Sequence, residues 1–275
     1  MSGKRGVEQA TPAALIARLE SVLSKSGAET NPLLVFDGDG TLWSGDVGEE
    51  VFEAAVKSGL ILDVAAEALR ALASAHGFDA SGTPTSVADG LYRAYLRNEF
   101  AERPVTEMMV WCYAGWHYDA WANFSRDVLR ARTIASRYNP SVVELLGWAA
   151  SRGLRAIVIS ASPQPAVEAA VEALGLGPDD VIAGRPRLDS SRVLPELASP
   201  LPYGADKVRA GRAAVGSTPW LAVFGDSDFD FEMLAEAEQP VVVHPKPALR
   251  ARLRELRGVV ELVNHGEEIF SGKGR

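Results

Sequence analysis

The chain has 275 residues, 47% of them hydrophobic and 23% charged, with a formal net charge of −8. It is long enough to bury a substantial core, and at the usual ratio of about 100–200 residues per domain it suggests two domains. A mean hydropathy near zero marks a soluble globular chain, no apolar run reaches membrane-spanning length, and the acidic balance argues against nucleic acid as a partner.

The first residues, MSGKRGVEQATPAAL, carry an early basic pair but no apolar stretch after it, so no secretory signal is expected and a cytoplasmic location follows by default. Thr11 to Ser24 predicts a helix, with Thr11 as N-cap, Pro12 in the first turn, and Leu15, Leu19 and Leu23 on one face. The run Leu33-Leu34-Val35-Phe36 predicts a buried strand that ends in Asp37 and a glycine-rich loop. From about Gly48 to about Arg137 the periodicity is helical, with helices expected over Glu49–Lys57, Asp63–Ala75, Thr85–Asn98 and Ala120–Ala135. Thereafter apolar runs at Ala156–Ile159, Leu221–Phe224 and Val241–Val243 alternate with amphipathic segments at Ser141–Ser151, Pro165–Leu174 and Asp206–Val215. Strand and helix in alternation predict a parallel α/β sheet, whose ligands bind at the C-terminal ends of the strands. The long helical segment reads as an insertion after the first strand. The single cysteine, Cys112, stands among Val110, Trp111 and Tyr113 and reads as a buried structural thiol.

Two carboxylates directly after a buried strand, Asp37 and Asp39, need compensating charge, and a divalent cation with oxygen ligands supplies it. A carboxylate beside such a cation can attack phosphorus, and the second can move a proton. The alternative is a turn in which the aspartates and glycines serve only backbone geometry. Ser160 ends another apolar run and offers a hydroxyl, with the backbone N–H groups of Ala161 and Ser162 behind it, to phosphate oxygens. Lys207 opens an amphipathic segment and can bring an ammonium to a phosphoryl group. Asp226, Ser227, Asp228, Phe229 and Asp230 put three acids into five residues after an apolar strand. Asp226 is the expected metal ligand there, and Asp230 orients the metal shell or Lys207; the competing reading is an acidic helix start favoured by the macrodipole.

In this order the segments Asp37-Gly38-Asp39-Gly40-Thr41, Ser160, Lys207 and Gly225–Asp230 resemble the four motifs of the haloacid dehalogenase superfamily, over a span from Leu33 to about Pro247. The resemblance implies a Rossmann-like parallel sheet with helices on both faces and an all-helical cap inserted after the first core strand. The corresponding division is residues 1–44 for the N-terminal helix and the start of the core, 45–137 for the cap, and 138–275 for the rest of the core. It further implies an aspartyl-phosphate intermediate on Asp37, with Asp39 protonating the leaving alcohol and then activating water. Mg²⁺ would be held by Asp37, the backbone carbonyl of Asp39, and Asp226. Thr41 and Ser160 would bind phosphate, and Lys207 would stabilise Asp37 and the transferred group.

The position of the insertion is similar to that in the phosphoserine-phosphatase-like branch, where an acid soon after the first motif meets the substrate amino group. Asp46, one methylene shorter than the usual glutamate, would take that place with Glu49 and Glu50 close behind. Arg93 and Arg97 are candidates for binding a substrate carboxylate, and Phe229 stands where asparagine is common. Trp111, Trp116 and Trp121, interleaved with Tyr113, His117 and Tyr118, read either as cap core or as a cation-π surface for a phosphocholine-like group. The expected function is Mg²⁺-dependent hydrolysis of a small phosphorylated metabolite, with phosphoserine or an amino-alcohol phosphate favoured, by a monomer or homodimer. A phosphomutase of the same superfamily and a non-catalytic metabolite-binding regulator are the alternatives.

Overall fold

A computed structural model describes residues 7–26 and 31–264. A short strand β1 (Glu8–Ala10) and helix α1 (Pro12–Ser26) precede the four apolar residues of β2 (Leu33–Phe36). Thr11 caps α1 by accepting a hydrogen bond from Ala14 N at 3.4 Å, and Pro12 takes a first-turn position where a missing N–H costs nothing. Five helices follow: α2 (Val47–Lys57), α3 (Ala66–Ala75), α4 (Pro84–Leu96), α5 (Glu102–Trp111) and α6 (Tyr118–Ala131). Then come α7 (Pro140–Ser151), β3 (Ala156–Pro163), α8 (Gln164–Val171), β4 (Val181–Gly184) and an antiparallel hairpin of β5 (Pro186–Asp189) and β6 (Arg192–Leu197). The remaining elements are α9 (Ala205–Val215), β7 (Trp220–Gly225), α10 (Phe231–Ala235), β8 (Gln239–Val243), α11 (Pro247–Arg252) and β9 (Val260–Leu262). No described helix is long and apolar enough to cross a membrane.

The main sheet has seven strands in the order β1-β9-β8-β7-β2-β3-β4. The pairs β1–β9, β9–β8, β8–β7, β7–β2 and β2–β3 are parallel. Two compact units arise: one comprises the described residues of Met1–Gly45, Arg137–Ile159 and Gly204–Arg275, the other Asp46–Ser136 and Ser160–Tyr203. Within the first, α1 packs with α7 and α9 with α10, one pair on each face of the sheet. All four residues of β2 are buried, as expected of a strand covered on both faces. Its register sets Phe36 opposite Phe224 of β7, and the two rings stack with centroids 4.4 Å apart and planes 11° apart. Because β2 and β7 are parallel, the residues that follow them, Asp37 and Asp226, emerge at the same edge. Strand order reverses between β2 and β7, which opens a crevice outside their C-terminal ends.

In the second unit the tryptophan-rich stretch is core. Tyr113 stacks on Trp121 with centroids 4.3 Å apart, Trp116 meets Tyr113 edge-on at 5.8 Å and donates its indole N–H to the Leu60 carbonyl at 3.0 Å. Cys112 is fully buried there, and burial pushes its thiol pKa up, as for an inert structural cysteine.

The structure differs from the sequence reading at several elements. β1, β4, β9, the β5–β6 hairpin and α5 were not anticipated. The strand expected over Ala156–Ile159 continues to Pro163, so Ser160 and Ala161 lie within β3 and not after it. The extension occurs because Ser160, Ser162 and Pro163 are themselves buried, which the polar residue types do not announce.

The Phe36–Phe224 stack generates the first test. Phe224→Ala removes a fully buried ring from the middle of the sheet and is expected to lower unfolding free energy by about 3–5 kcal/mol, read as the shift in urea midpoint, with Phe224→Leu costing less.

Candidate active site

The loop after β2 is closed by its own backbone. Thr41 N and Leu42 N donate to Gly38 O at 3.2 and 2.9 Å, and Gly40 N donates to Trp43 O at 2.8 Å. Gly40 has φ +85°, and a Cβ there would lie 2.3 Å from Asp226 Oδ2. Both the left-handed backbone and the close approach of the β7 acid therefore require glycine. The loop turns the Asp37 and Thr41 side chains together, with Thr41 Oγ1 donating to Asp37 Oδ2 at 3.3 Å.

Lys207, in the first turn of α9, is buried and lies with its Nζ 2.5 Å from Asp37 Oδ1 and 2.5 Å from Asp230 Oδ1. The other oxygen of Asp230 accepts from Asp226 N at 3.1 Å, Ser227 N at 3.0 Å and Ser227 Oγ at 3.0 Å. These bonds shape the 3₁₀ turn over Asp228–Asp230, with Phe229 half-buried at its middle. Asp226 Oδ2 pairs with Lys246 Nζ at 2.9 Å, while its Oδ1 is buried with no hydrogen-bond partner. Asp39 is half-buried, and its Oδ1 accepts from the indole N–H of Trp43 at 2.8 Å.

The electrostatics follow from burial. Desolvation, then Asp230, raises the Asp37 pKa well above the carboxylate range, against the pull of Lys207. Desolvation and Asp230 likewise push Asp226 up to about 6, against Lys246. Burial disfavours the Lys207 ammonium, but Asp230 and Asp37 outweigh it and its pKa ends above the ordinary value. Three carboxylates thus share a site whose positive charge does not hold them all ionised. Oxygens of Asp37, Asp226 and Asp230 lie within 4.8 Å of one another. Among the described residues Asp230 accepts one bond on Oδ1 and three on Oδ2, whereas each Asp37 oxygen accepts only one and leaves a lone pair, and Asp226 carries an orphaned buried oxygen. A hard divalent cation fits this donor set, with Asp37 and Asp226 as the side chains that have capacity for it.

The first unit therefore gathers Asp37, Asp39, Thr41, Lys207, Asp226 and Asp230. Ser160, Ala161, Asp46 and Glu49 belong to the second unit. There Ser160 Oγ accepts from Ser162 N at 3.1 Å. Asp46 caps α2, its Oδ1 accepting from Glu49 N at 2.8 Å, and Glu49 accepts from the Tyr92 hydroxyl at 3.0 Å. Asp46 and Glu49 line a small pocket of about 20 Å³ together with Tyr95, Glu102 and Thr106. Arg93 and Arg97 are spent in exposed pairs with Asp89 and Glu99, both at 2.7 Å.

Two residues at the site escaped the sequence reading. Trp43 was not singled out, although an indole four residues after an acid in one loop was a usable signal. Lys246 lies between Pro245 and Pro247, outside any periodic element, so nothing in the pattern tied it to Asp226.

Comparison with known proteins agrees with this architecture. Residues 34–235 match the family described as haloacid dehalogenase-like hydrolase. A phosphoserine phosphatase from Halobacterium salinarum is 33% identical over 102 residues, which are 36% of this chain and 48% of that protein, so the match spans about half the length of that relative. A Bordetella pertussis Tohama I protein of unknown function superposes with a TM-score of 0.65 at 19% identity, covering 85% of this chain and 99% of that one. A phosphoserine phosphatase solved as a phospho-aspartyl intermediate analogue gives a TM-score of 0.50 at 15% identity, over 85% of this chain and 94% of that one. These structural likenesses speak to fold. With a family match that covers well over half of the sequence, the chain belongs to the haloacid dehalogenase-like hydrolases.

Proposed function

We propose that the protein is a cytoplasmic, Mg²⁺-dependent phosphomonoesterase, monomeric or homodimeric, that works through an aspartyl phosphate on Asp37. The observation that carries this reading is the buried Asp37 carboxylate, held through one oxygen by Lys207 beside the orphaned oxygen of Asp226. The names of the phosphoserine phosphatase relatives are in keeping with it. Mg²⁺ held by Asp37, Asp226 and the backbone carbonyl of Asp39 would supply Lewis-acid polarisation of the phosphoryl oxygens and keep Asp37 ionised. Asp37 forms the bond to phosphorus as the bond to the substrate oxygen breaks, and Asp39 gives its proton to the departing alkoxide. Asp39 then takes a proton from water, whose oxygen displaces the Asp37 carboxylate and releases inorganic phosphate. Lys207 offsets charge on the transferred group, Thr41, Ser160 and the Ala161 N–H bind phosphate oxygens, and Asp230 holds Lys207 and the 226–227 backbone in position.

The acid-lined pocket bears on the substrate. Its wall contains Asp46, Glu49 and Glu102 and neither lysine nor arginine, and the two arginines suggested by sequence pair elsewhere. A site of that composition accepts an ammonium and rejects a carboxylate. Among the amine-bearing candidates an amino-alcohol phosphate is therefore favoured over phosphoserine, with Asp46 and Glu49 as specificity residues.

Five measurements test the reading. With Mg²⁺, phosphoethanolamine is expected to be hydrolysed with a higher kcat/KM than phosphoserine, chelation should abolish turnover, and Asp37→Asn should reduce kcat by roughly a thousand-fold or more; an isomerised sugar phosphate in place of free phosphate would indicate a mutase instead. Trp43→Phe removes the bond that fixes Asp39, so kcat on an alkyl phosphate should fall about ten-fold while p-nitrophenyl phosphate, whose leaving group needs no proton, changes little. Asp230→Ala strips Lys207 and the 226–227 amides of their acceptor and should lower unfolding free energy by about 3–5 kcal/mol in denaturant titration.

A further inference from the structure

The second unit contains a cavity of about 470 Å³, within the size range of sites for small organic ligands. Its lining includes the apolar Pro178, Pro186 and Leu188, with the charged Asp179 and Arg187 beside them, Arg187 pairing with Glu196 at 3.3 Å. Leu188 is 41% exposed, one of the few large apolar side chains left to solvent among the described residues.

The lining also carries a relay across one buried amide. Gln164, 2% exposed, accepts through Oε1 from Arg185 Nε and donates from Nε2 to Glu168 Oε1 at 2.6 Å. Arg185 and Glu168 are thus opposite charges fastened to the two ends of one side chain, both on the cavity wall. A nearby arginine and glutamate ordinarily pair directly. Here the amide and its two hydrogen bonds separate them by at most roughly 7 Å, and the two terminal nitrogens of Arg185 make no hydrogen bond or ion pair among the described residues. The Tyr118 ring borders the same space. Burial first, and then Glu168, raises the pKa of its hydroxyl against the pull of Arg185.

A ligand that satisfies this relay needs an anion and a cation a few bonds apart, and the apolar part of the lining asks for an apolar body. An α-amino acid meets both demands: each charged end takes one charge-assisted hydrogen bond of about 2.8 Å, and the pair bridges the gap that Gln164 maintains. We propose that this cavity binds a free α-amino acid with an apolar side chain, its carboxylate on Arg185, its ammonium on Glu168, and its side chain against Pro178, Pro186 and Leu188. The site shares no residue with the proposed phosphoryl chemistry and does not rest on that reading. It adjoins it in sequence, since Gln164 directly follows the strand that carries Ser160 and Ala161.

Isothermal titration of the full-length protein with L-leucine, L-valine and L-phenylalanine, beside 3-methylbutylamine and 4-methylpentanoate, reads the two charges separately. At least one amino acid is expected to saturate, with each singly charged analogue at least about ten-fold weaker. Arg185→Ala and Glu168→Gln should each weaken the amino acid by at least about ten-fold, while Asp37→Asn binds it as the parent does. Should Arg185→Ala lower the melting temperature, Arg185→Gln, which keeps a donor towards Gln164, takes its place. Absence of saturable binding by all three amino acids overturns the proposal. So does binding that survives both cavity substitutions, equal binding of a singly charged analogue, or binding that is lost in Asp37→Asn.

Discussion

Taking an ammonium and a carboxylate out of water costs several kcal/mol per ion, and the attraction between them offsets that only when the remaining donors and acceptors are also satisfied. Lys207 is an ammonium with 4% of its side chain exposed and a carboxylate 2.5 Å away on each side. Asp230, one of the two, spends its second oxygen on two backbone amides and a hydroxyl. Each partner arrives on a different element: Asp37 behind β2, Lys207 in α9, and Asp230 behind β7. A displacement of any one leaves a buried charge unpaired, so the network ties the three elements to a single arrangement. The parallel register of β2 and β7 is the geometric condition for it, because that register brings both acidic loops to one edge.

The same network is short of positive charge. Lys207 serves two aspartates, Lys246 serves one oxygen of Asp226, and the other stays buried without a partner. Burial consequently drives Asp37 and Asp226 towards their protonated forms, which for Asp37 is the form that cannot attack phosphorus. A divalent cation would remove that conflict by lowering both. On the proposed mechanism, nucleophile activation and metal binding are thus one electrostatic requirement, and the glycine at position 40 is its steric counterpart, since any Cβ there would occupy the place of the Asp226 carboxylate.

Much of this was legible in the sequence, and the boundary of legibility has a physical origin. An acid at the end of a continuous apolar run breaks the pattern that burial imposes, and Asp37 and Asp226 stood out for that reason. The strands they follow were equally plain because β2 and β7 are buried on both faces. β1 and β9 have three residues each, too few for a period to emerge; β9 pairs with β8, and β1 with β9 alone. α5 went unread because Pro104 falls in its first turn, where proline is tolerated but resembles a break. Trp43 and Lys246 escaped for another reason: each acts through a single polar atom, Trp43 on an acid in its own loop and Lys246 on one 20 residues away, and hydrophobic periodicity carries no record of such bonds.

Charge at longer range bears on what the site receives. With a net charge of −8, the protein repels a dianionic phosphate ester until the ester is within a Debye length, about 8 Å at physiological ionic strength, of Lys207 and Lys246. An ester that carries its own ammonium has roughly half the net charge of a simple alkyl phosphate and is repelled correspondingly less. A carboxylate on the same molecule restores the repulsion. On the proposed reading, the acid-lined pocket of Asp46, Glu49 and Glu102 discriminates in the same direction. Diffuse charge and pocket composition would then favour one chemistry, a phosphate at one end and an uncompensated amine at the other.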